Sequence, residues 1–243
     1  MAKQVGIYQF NGKLGDAVGS KARKGYQVVK RAPVATKNPS TKAQIIQRTL
    51  FAACTYTAGA VPEGAIVGMR PYANGNGMSV RNAFAKILQK SGAMVADWSD
   101  VQQEATTHVE HSQVEYSRGN QPNILAGAPQ FDTPQTVEFS YDLGDLNPSV
   151  TNLVVVIYCP DIKNWVVKKL TNLNATGTVE VIVPNSWNGM KVHVHCYTQC
   201  FENADQKNAL YNAEIFGATA DIKAAESAAK YSRSLYVGSG NIG

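Results

Sequence analysis

Apolar and polar residues alternate along the first part of the chain, which predicts short strands. Val5 to Phe10 alternates, Leu14 to Val18 continues the pattern, and Tyr26 to Arg31 makes a third run. Asn11-Gly12 reads as a hairpin turn, because both residues tolerate positive φ. A meander this rich in glycine is thin, and it needs a body or a neighbouring chain to order it. Ala32 to Pro39 reads as an extended linker, since each proline biases its predecessor away from helix.

The period then changes. In KNPSTKAQIIQR, residues 37–48, Thr41 is expected to be an N-cap and Gln44 its capping-box partner, the hydroxyl and the amide each taking one orphan backbone group. Ile45, Ile46, Leu50, Ala53 and Cys54 return about every 3.6 residues, predicting a helix of about four turns that stops at Gly59. A second helix is expected from Ser79 to Lys90, with Val80, Phe84, Ile87 and Leu88 inward and Gly92 as its stop. The two helices are expected to pack antiparallel.

After about residue 112 the period is two. Strands are predicted at Gln113 to Ser117, Thr136 to Tyr141, Asn152 to Cys159, Trp165 to Leu170, Thr176 to Val183 and Met190 to Gln199. An exposed helix is expected within Ala218 to Tyr231 and a final strand at Ser232 to Val237, with a tail, Gly238 to Gly243, that forms no core. The fold class is therefore α+β. An N-terminal β-meander arm and helical pair (1–111) precede an antiparallel β-sandwich of immunoglobulin or fibronectin type (112–243).

Composition sharpens this picture. A chain of 243 residues buries a core large enough to fold without disulfide or metal. Cys54, Cys159, Cys196 and Cys200 lack the spacing of a disulfide scaffold and read as buried thiols. No run of 18 apolar residues is present, and the start carries no apolar leader, so the expected location is the cytoplasm at synthesis, with no membrane partner. The charge is lopsided: residues 1–50 hold ten bases against Asp16 alone, whereas the rest holds 13 bases and 17 acids. A basic head on a mildly acidic body points to an anionic partner. Its candidate contacts are Lys21, Arg23, Lys24, Lys30, Arg31 and Lys37. The alternative is a solvated surface.

Candidate chemistry is sparse. In HVHCYTQC, residues 193–200, His193 and His195 share a strand face and Cys196 points to the other. A zinc site there would borrow Cys200, His108 or His111, and a half-buried strand explains the run more simply. HVEH, residues 108–111, lacks zincin spacing. GNG at 75–77 reads as a turn, and neither a Walker loop nor a nucleophile elbow is present. No catalytic residue, cofactor or metal is expected. Tyr8, Phe10 and Tyr26 are suited to stack on single-stranded bases, although packing of a glycine-rich sheet needs them first.

FNGKLGDAVGSKARKGYQVVKRAP followed by KNPSTKAQIIQRTLF resembles the N-terminal signature of a domain-of-unknown-function family of Bacteroidota and their phages. The pattern, an Asn-Pro-x-Thr-x-Ala-Gln helix opening, is carried by Asn38, Pro39, Thr41, Ala43 and Gln44, then Arg48 and Phe51. MSVRNAFAKI, VEYSRGNQP and SRSLYVG are similar to later parts of the family, and the alanine-rich stretch at 218–231 departs from it. The resemblance implies a virion protein of a tailed phage, crAss-like or related, with no activity to carry over. The expected function is a non-enzymatic auxiliary capsid or portal and tail ring component. It would be made in the host cytoplasm, anchored by the basic head, and partnered by other virion proteins and copies of itself as a homo-oligomer. The alternatives are a nucleic-acid-binding protein and a cellular adhesion or carbohydrate-binding sandwich, the last resting on exposure of Trp98, Trp165 or Trp187.

Overall fold

The computed structural model describes residues 2–4, 12–14, 17–21, 27–31, 41–217 and 219–243. Its first strands are β1 (Ala2–Gln4), β2 (Gly12–Leu14), β3 (Ala17–Lys21) and β4 (Gln27–Arg31). They form one antiparallel sheet in the order β1-β4-β3-β2. Leu14 pairs with Ala17, so the chain reverses between them, and Gly12 is a strand residue paired with Gly19, not a turn residue. The strand expected at Val5 to Phe10 and the linker Ala32 to Pro39 lie outside the described residues. Val18 and Val29 are half-buried in this sheet and join neither core of the body.

Two corrections concern α1 (Lys42–Ala60). Thr41 is its N-cap in backbone terms, with ψ at 151° and its carbonyl accepting from Ile45 at 3.0 Å, yet its hydroxyl caps nothing. The capping box is absent because the Gln44 side chain is turned inward: its Oε1 is buried without a partner instead of reaching back. Gly59 is not the stop either. The helix runs through it to Val61, whose extended ψ of 132° is the conformation that Pro62 favours in its predecessor.

Short 3-10 turns at 63–65 and 67–69 lead to α2 (Arg70–Gly75) and α3 (Val80–Lys90). Here the expectation holds: Ser79 accepts from the Asn82 amide, Phe84, Ile87 and Leu88 are buried, and Gly92 takes a left-handed φ of 77°. α3 packs on α1, and one of its side chains finishes α1. Arg81 Nη1 donates to the carbonyls of Ala58, at 2.9 Å, and of Gly59 and Val61, satisfying groups that a helix end leaves orphaned.

The chain continues through a hairpin that the periodicity does not announce, β5 (Met94–Ser99) and β6 (Glu104–Val109). The strand expected at Gln113 to Ser117 is not one. A 3-10 turn at His111–Gln113 is followed by irregular chain, held where the Tyr116 amide donates to Ser234 Oγ and Ser117 Oγ donates to the Ser232 carbonyl. Then come β7 (Leu125–Ala126), β8 (Thr136–Asp142), β9 (Thr151–Cys159), β10 (Asn164–Leu170), β11 (Thr176–Ile182) and β12 (Lys191–Cys200). The last elements are α4 (Ala204–Phe216), which was not expected, α5 (Thr219–Ala228), β13 (Lys230–Tyr231) and β14 (Leu235–Asn241).

The protein is thus α+β with a sheet-rich C-terminal region. Strands β10-β9-β12 carry β13 and β14 on the far side of β12, and β11-β8-β7 form a second antiparallel sheet. β9 is buried along nearly its whole length. Leu153, Val155 and Ile157 share a core with Val137, Phe139, Val179 and Val181 of the smaller sheet. Val154 and Val156 pack in another core with Phe84, Ile87 and Cys54 of the helical layer. Strict period two therefore fails at residues 153–157, whose continuous apolar run is the mark of a strand covered on both faces. Ile222 and Ala225 of α5 pack on the core shared with the helical layer, so that helix is not simply exposed. The tail also contributes, with Ile242 only 2% exposed in the core shared with the smaller sheet.

Gly119 is where this assembly leaves no room, since a Cβ there would stand 1.7 Å from the Tyr231 carbonyl oxygen. Gly119→Ala is expected to lower stability by about 3 kcal/mol, as overpacking against backbone does. Gly64→Ala, where a Cβ meets nothing within 4 Å, is expected to stay within about 0.5 kcal/mol of the parent. Urea denaturation of the two variants provides the comparison.

Candidate interaction site

The register of the arm decides which bases lie together. Residues paired directly across antiparallel strands share a face. Lys13 pairs with Val18, Val18 with Lys30, and Lys3 with Val28, so positions 3, 13 and 30 occupy one face of the sheet. Lys21 pairs with Gln27 and Arg31 with Ala17, which places these two on the opposite face. Of the six candidate contacts, Lys21, Lys30 and Arg31 are in described strands, and Arg31 is exposed. Arg23, Lys24 and Lys37 lie outside the described residues. The six are thus not all on one surface. Lys3 and Lys13, absent from the candidate set, belong with Lys30, and only the register between non-adjacent strands reveals it.

A second cluster forms on β12. His193, His195 and Tyr197 alternate toward the helical side, while Val192, Val194 and Cys196 face the smaller sheet. The 3-10 turn brings His111 onto His193, ring centroids 4.0 Å apart, and His193 Nδ1 lies 3.2 Å from the Tyr236 hydroxyl. His195 is 1% exposed, edge-on to Tyr116 at 4.9 Å, and neither of its ring nitrogens has a partner. Burial pushes His111 and His193 down to about 4 and His195 to about 3, with neighbouring charge a smaller influence. All three rings are therefore neutral near pH 7.

The other residues of the zinc alternative sit elsewhere. His108 on β6 lies 2.7 Å from Asp97 and 3.3 Å from Glu110, and Cys200 is beside Thr151. Among the described residues, no group of three or more His, Cys, Asp or Glu is arranged to hold a metal ion. The four cysteines are buried free thiols. Trp187 is wholly buried, Trp165 donates to the Tyr116 hydroxyl at 3.3 Å, and Trp98 lies under Lys42.

A cleft of about 650 Å³ opens between α2, residues 118–121 and the junction of α5 with β13. Its cations have internal partners: Arg70 stands 2.6 Å from Glu226, Arg118 3.9 Å from Glu115, and Lys230 3.5 Å from Glu202. Burial raises the Glu226 carboxyl pKa, and Arg70 opposes the shift. Such pairing weakens the pull of this cleft on an external anion. No described helix is long and apolar enough to cross a membrane.

A protein-family model described as a family of unknown function (DUF6266) matches residues 9–213. No curated protein and no solved structure matches the chain.

The imidazole cluster gives the fold a defined acid sensitivity. Unfolded, each ring titrates near 6.5, so below that pH the unfolded chain binds more protons than the folded one. Their contribution is present in full above about 6.5 and is lost as the pH falls toward 4. His111→Phe keeps a ring against His193 but removes one titrating group. It is expected to lose less stability than the parent between pH 7 and pH 5, measured by urea midpoints. Equal losses would show that His111 does not titrate in this window.

Proposed function

We propose, for a chain that belongs to a family of unknown function (DUF6266), a non-enzymatic role in assembly. Its basic four-stranded arm anchors it to an acidic face of another protein. The observation that carries this reading is the arm itself, a small sheet with bases at positions 3, 13 and 30 on one face and 21 and 31 on the other. The sheet is amphipathic in neither sense, so contacts to an anionic partner can form on both sides. The mildly acidic remainder of the chain keeps that attraction local to the head.

The setting we infer is a phage virion, with the chain as an auxiliary capsid or portal and tail ring protein. The resemblance of the 37–51 stretch supports it. In this reading the two facing sheets of the C-terminal region form a sandwich of immunoglobulin or fibronectin type that offers a second interaction surface. Copies of the chain and other virion proteins are its partners.

Deletion of residues 1–31 is expected to abolish incorporation into particles while the circular dichroism of the body is retained. Normal incorporation of the truncated chain would overturn the anchor. The lysine face also favours a second reading, in which the arm contacts the phosphates of nucleic acid. About five such contacts give a slope near −4 for log affinity against log salt, measurable by fluorescence anisotropy on a single-stranded oligonucleotide. A flat salt dependence would remove it.

A further inference from the structure

A cavity of about 160 Å³ lies between α4, the start of β9 and the end of β10, lined by Asn152, Thr171, Lys207, Asn208, Tyr211 and Glu214 among others. Two of its polar groups are buried and unspent. Lys207 is 9% exposed. Its ammonium donates to the carbonyls of Pro148 at 3.3 Å and Thr151 at 3.2 Å, which leaves one of its three N–H bonds over. Burial lowers its pKa, and no described carboxylate stands close enough to oppose the shift. Glu214, the acid of α4 on this cavity, is paired with Lys169 instead.

The second group belongs to Asn152, which is 1% exposed and follows Thr151 in the chain. It shares the face of β9 that Val154 and Val156 turn toward the helical layer. Its amide orientation is fixed by a relay of buried side chains. Tyr231 donates its hydroxyl hydrogen to the Glu226 carbonyl at 3.0 Å, so the same hydroxyl accepts from Gln199 Nε2 at 3.1 Å. Gln199 Oε1 then accepts from Asn152 Nδ2 at 3.2 Å, and Asn152 Oδ1 is the atom left without a partner. An acceptor buried in this way costs stability until something donates to it.

These two groups set the chemistry of a guest. The spare N–H of Lys207 takes an anionic oxygen, and one ammonium with no arginine among the described lining residues matches a single negative charge. Asn152 Oδ1 only accepts, so the guest also brings an O–H or N–H. Cavities of about 150 Å³ admit guests of benzene's size, so the guest has on the order of six to eight non-hydrogen atoms. We propose that this cavity binds a small carboxylate with a hydroxyl or ammonium group on the adjacent carbon, the carboxylate on Lys207 and the donor on Asn152 Oδ1. The site uses no residue of the arm and does not rest on the assembly reading.

Two-dimensional NMR titration of the full chain with L-lactate, L-serine and propionate tests it, with the Asn152 side-chain amide as reporter. Lactate or serine is expected to shift that amide with a dissociation constant on the order of 1 mM, an affinity within reach of about six or seven non-hydrogen atoms. A stronger response to serine assigns an ammonium to Asn152 Oδ1 and a stronger response to lactate a hydroxyl, and either upholds the proposal. Propionate keeps the carboxylate but lacks the donor, so it is expected to bind about 10-fold more weakly. Lys207→Met keeps the apolar stem without the charge and is expected to weaken binding about 10-fold or more. Asn208→Trp, at an exposed lining position, fills the cavity and leaves the carbonyl bonds of Lys207 in place, so it is expected to bind neither probe even if Lys207→Met fails to fold. No shift with lactate or serine up to about 50 mM would overturn the proposal. So would propionate bound as tightly as lactate and serine, or an Asn208→Trp chain that binds like the parent.

Discussion

The structure depends on one constraint: the central strands β9 and β12 are buried on both faces and must be covered on both. A strand with Leu153, Val155 and Ile157 on one side and Val154 and Val156 on the other cannot serve as an outer layer. Covering it requires the smaller sheet on one flank and the helices on the other. Five such apolar side chains, at about 2 kcal/mol each for full burial, contribute on the order of 10 kcal/mol, comparable to the net stability of a whole domain. The α1–α3 pair is therefore half of the shell that keeps this sheet from water.

Polar groups inside this arrangement are mostly resolved by crossing between distant segments. Ser117 donates to the carbonyl of Ser232, the Thr198 amide donates to Ser232 Oγ, and Gln199 bonds Asn152 and Tyr231. These bonds tie residues 116–121 and the last strands to β12, so the irregular chain after the His111 turn is as fixed as a strand. Trp187 Nε1, Thr198 Oγ1 and Asn152 Oδ1 stay unpaired, and His195 is buried with both ring nitrogens unpaired. Its neutrality follows from the cost of a charge in that position.

Much of this was legible in the sequence and the remainder has identifiable causes. The five long strands, the two helices and the buried thiols follow from periodicity, because local pattern and tertiary burial agree there. The run at 153–157 carried its own sign of two-sided burial, which alternation in the neighbouring strands concealed. The Gln113–Ser117 pattern alternates like a strand yet is held by serine side chains that come from the far end of the chain. At α1, Thr41 and Gln44 have the residue types of a capping box, but Gln44 is drawn inward. The lysine face of the arm and the His111–His193 stack rest on strand order and a turn position, and no local spacing encodes either.

The reach of Arg81 has a consequence for motion. A helix end usually frays because its last carbonyls face only water, but here one guanidinium on the neighbouring helix holds three of them. Opening the final turn of α1 therefore means withdrawing a side chain of α3, so the two helices share one opening event. Their amide hydrogens should exchange with solvent as a single cooperative block, and the layer that shields the sheet comes away whole or not at all.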